Sequence, residues 1–192
     1  MITYEINDAL YINLTNRCTN NCCFCVRNKT EGFGFDLWLD KEPSLPEIMA
    51  DIEKPEKYSE VVFCGYGEPL ERPLEVLEIC RYLKKKGVRT RINTNGQANL
   101  IWRRNIVPEL AGLADSISIS LNTKNSEDYM KLCRPENGEE AYKSVLDFSK
   151  ECIKYLPEVC LTVVDVIPAY DIEICRNIAE RMGARFKVRH YC

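Results

Sequence analysis

Residues 60–96 read EVVFCGYGEPLERPLEVLEICRYLKKKGVRTRINTNG, and the fold turns on how they are read. Glu60–Cys64 is a short β-branched and aromatic run of the kind that forms a buried strand. A helix is expected from Pro73, which suits a first helical turn. It should end at Lys84-Lys85-Lys86, whose charges favour the carbonyl end, with Gly87 placed to stop it. Val88–Asn93 is strand-like again. Strand, helix and strand in so short a stretch make a βαβ unit, whose two strands run parallel.

The same alternation extends in both directions. Strands are expected at Leu10–Thr15, Ser116–Leu121, Cys160–Val166 and Arg185–Arg189. Helices are expected over Leu45–Glu53, opened by a Ser44/Glu47 capping box, and over Leu100–Ala111, with Pro108 as a point of truncation. Two more follow, Glu139–Tyr155 and Asp171–Met182, the second stopped by Gly183. Six strands with helices between them imply a parallel α/β sheet that either curls progressively or stays doubly wound. A closed eight-stranded barrel takes roughly 250 residues. The 192 residues here fit a partial (β/α)6 TIM-like barrel, and 1–192 is expected to form a single core domain.

Composition narrows the class. A hydrophobic content of 45% supports a real core, and a formal charge of −3 disfavours a general nucleic-acid coat. No apolar run approaches the ~20 residues that span a bilayer, and residues 1–8 carry neither a basic region nor an apolar one. The expectation is a cytoplasmic protein with no membrane association. Eleven cysteines is a high and odd number for such a chain. Cys80, Cys133, Cys152, Cys160 and Cys175 sit among apolar neighbours and read as small buried hydrophobes.

Four other cysteines crowd into Cys18-Thr19-Asn20-Asn21-Cys22-Cys23-Phe24-Cys25, directly after the first strand. Three of them have the spacing C-x3-C-x2-C, with Phe24 before the last. Three thiolates from one loop can grip three irons of a cubane and leave the fourth iron open, whereas a cluster meant only for electron transfer usually takes four. An open position implies a further ligand, as in catalytic metal sites. The alternative is zinc, which would take a fourth ligand from Cys23, Cys64 or His190.

In parallel α/β folds, sites gather at the carboxyl ends of the strands. There the second strand runs into Gly65-Tyr66-Gly67-Glu68, where glycines allow close approach to a ligand and Glu68 can accept from an ammonium group. The third strand runs into Asn93-Thr94-Asn95-Gly96, whose donors and acceptors suit a ribose or an amino acid. The fourth alternates so that Ser116, Ser118, Ser120 and Asn122 share one face, and a polar face in a covered sheet needs partners. Asp165, on the fifth strand, could contact substrate or pair with an arginine of the neighbouring strand.

The cysteine spacing and its place at the tip of a first strand resemble the radical S-adenosylmethionine (SAM) superfamily. The wording of Asn13–Cys18, Phe63–Glu68 and Arg91–Leu100 resembles, within it, small proteins associated with TatD-family hydrolases. The resemblance implies a [4Fe–4S] cluster on Cys18, Cys22 and Cys25, with SAM on the open iron. Reductive cleavage of SAM would give a 5′-deoxyadenosyl radical that takes hydrogen from a substrate, in an oxygen-sensitive enzyme. It further implies SAM contacts from Phe24, Gly65, Tyr66, Gly67, Glu68, Asn93, Thr94, Ser120 and Asn122, and a carboxylate contact from Arg134. Tyr66 departs from the family's glycine–glycine–glutamate motif, whose middle residue is glycine.

Other readings stay open at this point. The chain could activate a partner protein by making a radical on it, resemble the deazapurine-precursor synthases, or be a non-catalytic metal-binding interaction module. A reductant such as flavodoxin or ferredoxin and a TatD-family hydrolase are implied partners. Six strands leave one side of the barrel open. A large substrate, a second subunit or a partner protein could close it. Arg185, Lys187 and Arg189 alternate on the last strand, which either favours a macromolecular or anionic substrate or partner there or is a solvated basic edge that discourages aggregation.

Overall fold

The computed structural model describes residues 1–28 and 34–191. Its strands are β1 (Thr3–Ile6), β2 (Ala9–Ile12), β3 (Glu60–Phe63), β4 (Thr90–Thr94), β5 (Ser116–Ser120), β6 (Glu158–Val164) and β7 (Arg185–Arg189). They form one seven-stranded sheet in chain order. β1 is antiparallel to β2, and every later pair is parallel. A doubly wound sheet would reverse its strand order at a switch point. The unbroken order means that the sheet curls as a partial barrel.

The N-terminal strand was not expected. It forms a hairpin with β2 through Asn7-Asp8, with Asn7 at φ 55°, a left-handed position that asparagine tolerates. β1 therefore adds an antiparallel edge to the six strands expected. Strand ends also shift: β2 stops at Ile12 rather than Thr15, and β6 covers Glu158–Val164 rather than Cys160–Val166.

The helices are α1 (Leu45–Asp51), α2 (Pro73–Lys85), α3 (Ala98–Ile101), α4 (Val107–Leu110), α5 (Ser126–Cys133), α6 (Glu140–Tyr155) and α7 (Ala169–Met182). The Ser44/Glu47 capping box forms on α1, and Gly183 ends α7 at φ 80°. The expected helix over 100–111 is instead two short ones. Arg103 turns left-handed at φ 50°, and Pro108 sits in the first turn of α4. α5 was missed. Its signal is Asn125, whose side chain accepts from the Asp128 N–H at 2.8 Å and caps the helix.

One face of the sheet buries Ile12, Phe63, Ile92, Ile117, Ile119, Leu161 and Val163 against Ile48, Ile79, Leu83, Val145 and Phe148 of the helices. Each such side chain contributes about 1.5–3 kcal/mol by leaving water. Cys80, Cys133, Cys152 and Cys175 are buried as expected, but Cys160 is only half-buried, because it points to the other face. On that concave face the registers align Asn93, Ser118, Cys160 and Arg185 in one row and Ser120, Thr162 and Lys187 in the next. The β1–β3 part is filled by a second, aromatic cluster of Tyr4, Tyr11, Phe35, Leu37 and Tyr66. The β4–β7 part is polar.

Candidate cofactor cleft

The cysteine loop leaves β2 and is tied down at both ends. Asn13 is buried, and its Nδ2 donates to the Leu37 carbonyl at 2.6 Å and to Met1 at 3.1 Å. Farther on, the Asn21 N–H donates to the Cys133 carbonyl at 3.0 Å and the Cys23 N–H to Leu132 at 3.0 Å. These are the last carbonyls of α5, which a helix cannot satisfy by itself. Thus the unforeseen helix is the shelf that holds the loop. Asn20 adds a buried link, donating to Tyr129 Oη at 2.9 Å and accepting from Gln97 Nε2 at 2.7 Å.

The glycines after β3 serve a different close approach from the one expected. A Cβ on Gly67 would lie 2.2 Å from the Thr15 carbonyl oxygen and 2.5 Å from that of Arg17, and one on Gly65 would strike Asn13 Oδ1 at 2.0 Å. The glycines let the β3 loop lie flat against the chain that leads into Cys18, and the Glu68 N–H seals the contact on the Arg17 carbonyl at 2.7 Å. Glu68 itself is 3% exposed. Its carboxylate accepts from Thr94 Oγ1 at 2.7 Å and from the N–H groups of Asn95 at 2.6 Å and Leu70 at 3.0 Å. It clamps the β3 loop to the β4 loop. Burial raises its pKa to about 7 in spite of these three donors.

Asn95 links the clamp to the cysteines. Its Nδ2 donates to Thr19 Oγ1 at 3.1 Å and lies 3.8 Å from Cys18 Sγ. Asn122 leaves β5 with φ 60°, so it is not a continuation of the strand face. Its Nδ2 meets Cys133 Sγ at 3.6 Å, while its buried Oδ1 has no donor. Tyr66, the odd residue of the glycine loop, is buried, donates to the Phe35 carbonyl at 3.3 Å and packs edge-on to Trp38.

These loops enclose a cleft of about 340 Å³ at the carboxyl ends of the strands. Cys18, Cys22 and Cys25 line it together with Phe24, Gly65, Tyr66, Gly67, Glu68, Asn93, Thr94, Ser120 and Asn122. Arg134 does not line it: it ends α5 in left-handed backbone at φ 46° and is exposed. The arginine in the cleft is Arg189 of β7, whose Nη2 donates to Ser120 Oγ at 3.2 Å. Its signal was the basic alternation of the last strand. Burial raises the thiol of Cys18 to about 12 and also raises that of Cys25; contact with Cys133, then burial, raises that of Cys22. Asp165 pairs with His190 Nδ1 at 2.8 Å and accepts from the Tyr191 N–H at 2.7 Å, rather than meeting an arginine.

Residues 12–182 match the sequence profile of the radical SAM superfamily. The chain belongs to that superfamily. A putative glycyl-radical enzyme activating enzyme of Methanocaldococcus jannaschii is 28% identical over 71% of this chain and 53% of its own. The 7-carboxy-7-deazaguanine synthase of the same organism is 27% identical over 86% of this chain and 67% of its own. Among solved structures, Streptococcus suis SuiB bound to S-adenosylmethionine superposes with a TM-score of 0.66 at 18% identity, over 95% of this chain and 38% of that one. The chain spans about half the length of the first curated relatives it matches.

Radical SAM proteins use a [4Fe–4S] cluster, SAM, a substrate and a reductant, and the residues present here fit the two cofactors. Three thiols from one loop face one cleft, and the described cysteines are all free of disulfides. Among the described residues no three Cys, His, Asp or Glu side chains converge on one ion position, and thiolates that each take a different iron have no need to. Among the described residues that line the cleft, Asn122 carries a buried Oδ1 with no hydrogen-bond donor. A polar ligand in the cleft would supply that donor. Among the described residues no helix is long and apolar enough to cross a membrane.

Proposed function

We propose that this chain is the core domain, residues 1–192, of a radical SAM enzyme that works on an anionic substrate in a reducing, cytoplasmic setting. The observation that carries the reading is the shared cleft, in which Cys18, Cys22 and Cys25 face the ends of β3, β4 and β5 across one cavity. In this reading the three cysteines hold the [4Fe–4S] cluster. When bound, the cluster and SAM supply a 5′-deoxyadenosyl radical after one-electron reduction by a flavodoxin- or ferredoxin-type donor.

The protein's own part is to aim and protect. Asn95 and the α5 carbonyls hold the cysteine loop at a fixed pitch. Glu68 fixes the β3 and β4 loops to each other, so Gly65, Tyr66 and Thr94 would present one surface to the methionyl end of SAM. Ser120, Asn122 and Asn93 would supply hydrogen bonds to its ribose, and Phe24 would lie beside the cluster. Tyr66, packed edge-on to Trp38, covers one flank of the cleft from water. The basic concave side of β7 supports an anionic substrate at the open edge.

The test is anaerobic reconstitution. About four irons and four sulfides per chain, as a [4Fe–4S] cluster requires, and 5′-deoxyadenosine from SAM after reduction are the expected results. Tight stoichiometric zinc with no uptake of iron would sink the assignment.

A further inference from the structure

Among the described residues Arg189 is the one guanidinium that lines the cleft, and the cofactor assignment leaves it unused. Its Nη2 is held by the neutral Ser120 hydroxyl, and its Nε is buried without any acceptor. Among the described residues no carboxylate forms a salt bridge with it, and its one side-chain hydrogen bond is the one to Ser120. A charge withdrawn from water is costly unless it is paired. Elsewhere on the same concave face that need is met within the protein. Arg91 binds both oxygens of Glu60 at 3.1 and 3.2 Å through Nε, and Arg89 reaches Glu158 at 2.8 Å. Arg189 lies on the edge strand β7, and one hydroxyl already orients its fork.

Resting on the radical SAM reading above, we propose that Arg189 anchors an oxyanion of the substrate, a carboxylate or a phosphate, and so positions the substrate against SAM. A planar guanidinium suits both groups because it binds two oxygens at once. The substrate class is therefore a small molecule, or the exposed end of a larger one, with an anionic group a short distance from the hydrogen that is removed.

The experiment uses anaerobic, cluster-loaded, unreduced protein saturated with SAM, so that no turnover occurs. Pyruvate and inorganic phosphate are the probes, titrated by saturation-transfer NMR; the first reports a carboxylate site and the second a phosphate site. Wild type should bind at least one of them. Arg189→Gln should weaken that binding by about tenfold to a hundredfold, the loss of a charge-assisted hydrogen bond. Arg189→Lys should restore part of it, and both variants should keep wild-type iron content and SAM affinity. If Arg189→Gln loads less iron, Arg189→Lys carries the test, because it keeps the charge and loses only the fork: anion affinity must still fall. The proposal is overturned if neither probe binds wild type, if the variants bind them as wild type does, or if SAM affinity falls instead, which would assign Arg189 to the methionyl carboxylate. Iron content and SAM cleavage report separately on the radical SAM reading, so its failure is not confused with this one.

Discussion

The two ends of the concave face carry the same kind of residue and treat it oppositely. At the base, where the strands begin, Arg89 and Arg185 share Glu158, and Arg91 forks onto Glu60. The walls of this base cavity come from β3 to β7, and the Arg89–Glu158 pair reaches across β5 to link the start of β4 with β6. At the top, Arg189 is buried in a cleft with a serine for company, Asn122 turns a bare acceptor inward, and three cysteines face them without a disulfide. One end is electrostatically finished by the protein; the other is left incomplete. The difference teaches that the base pairs its charges within the sheet, and, on the function proposed above, that the top receives the cofactors and substrate.

The largest effect expected from this contrast is at the cysteines. Changing Cys18, Cys22 or Cys25 to Ala should abolish the brown cluster absorption after reconstitution, while Cys23→Ala, at an exposed position, should retain it. A cluster that survives any of the three replacements would break the comparison outright.

Next comes the clamp. The folded-state pKa of Glu68 is raised from 4.5 to about 7, so between those values the folded chain binds more protons than the unfolded chain. Stability of the cluster-free protein should therefore fall as pH rises through that window and level off above it. At 1.36 kcal/mol per unit the loss is on the order of 3 kcal/mol. Urea denaturation from pH 4.5 to 8 should show the slope in wild type and lose it in Glu68→Gln; an unchanged slope in the variant would assign it elsewhere.

A smaller effect has opposite signs at the two ends. Arg91→Leu at the base leaves Glu60 unpaired and should cost about 1–3 kcal/mol. Arg189→Leu at the top removes a charge that has no charged partner and should leave the cluster-free protein as stable as wild type, or more stable by about 1 kcal/mol. Paired urea melts at one pH decide this, and equal destabilisation would mean that Arg189 is structurally satisfied after all. The smallest effect is at exposed pairs away from both ends. Lys143→Ala, which breaks a contact with Asp147 on the outside of α6, should leave the melt unmoved because water screens such pairs.

Much of the fold was legible because its signals are local. Six strands, the capping box of α1, the lysine-rich end of α2 and the glycine stop of α7 each depend on residues within a turn or two of one another. What escaped was short or weakly periodic. β1 has four residues and no clear alternation, and α5 is marked mainly by Asn125. The break between α3 and α4 rests on one left-handed arginine, which no propensity announces.

By itself the sequence determined the chemistry of the site: three thiolates in one loop, polar loops after each early strand, and an alternation of serines that cannot face a core. Those are properties of residue type and spacing, and they hold in any conformation the chain adopts. Only the tertiary structure decided what each residue does. Gly65 and Gly67 serve the approach of one loop to another, Glu68 spends its lone pairs on the β4 loop, and Arg134 ends a helix at the surface. Arg189 reaches the cleft because β7 pairs with β6 in a register that sets Arg189 beside Val164, and its side chain crosses to Ser120 on β5. The physical reason is distance along the chain. A partner tens of residues away is chosen by the curvature and register of the whole sheet, which no local pattern encodes.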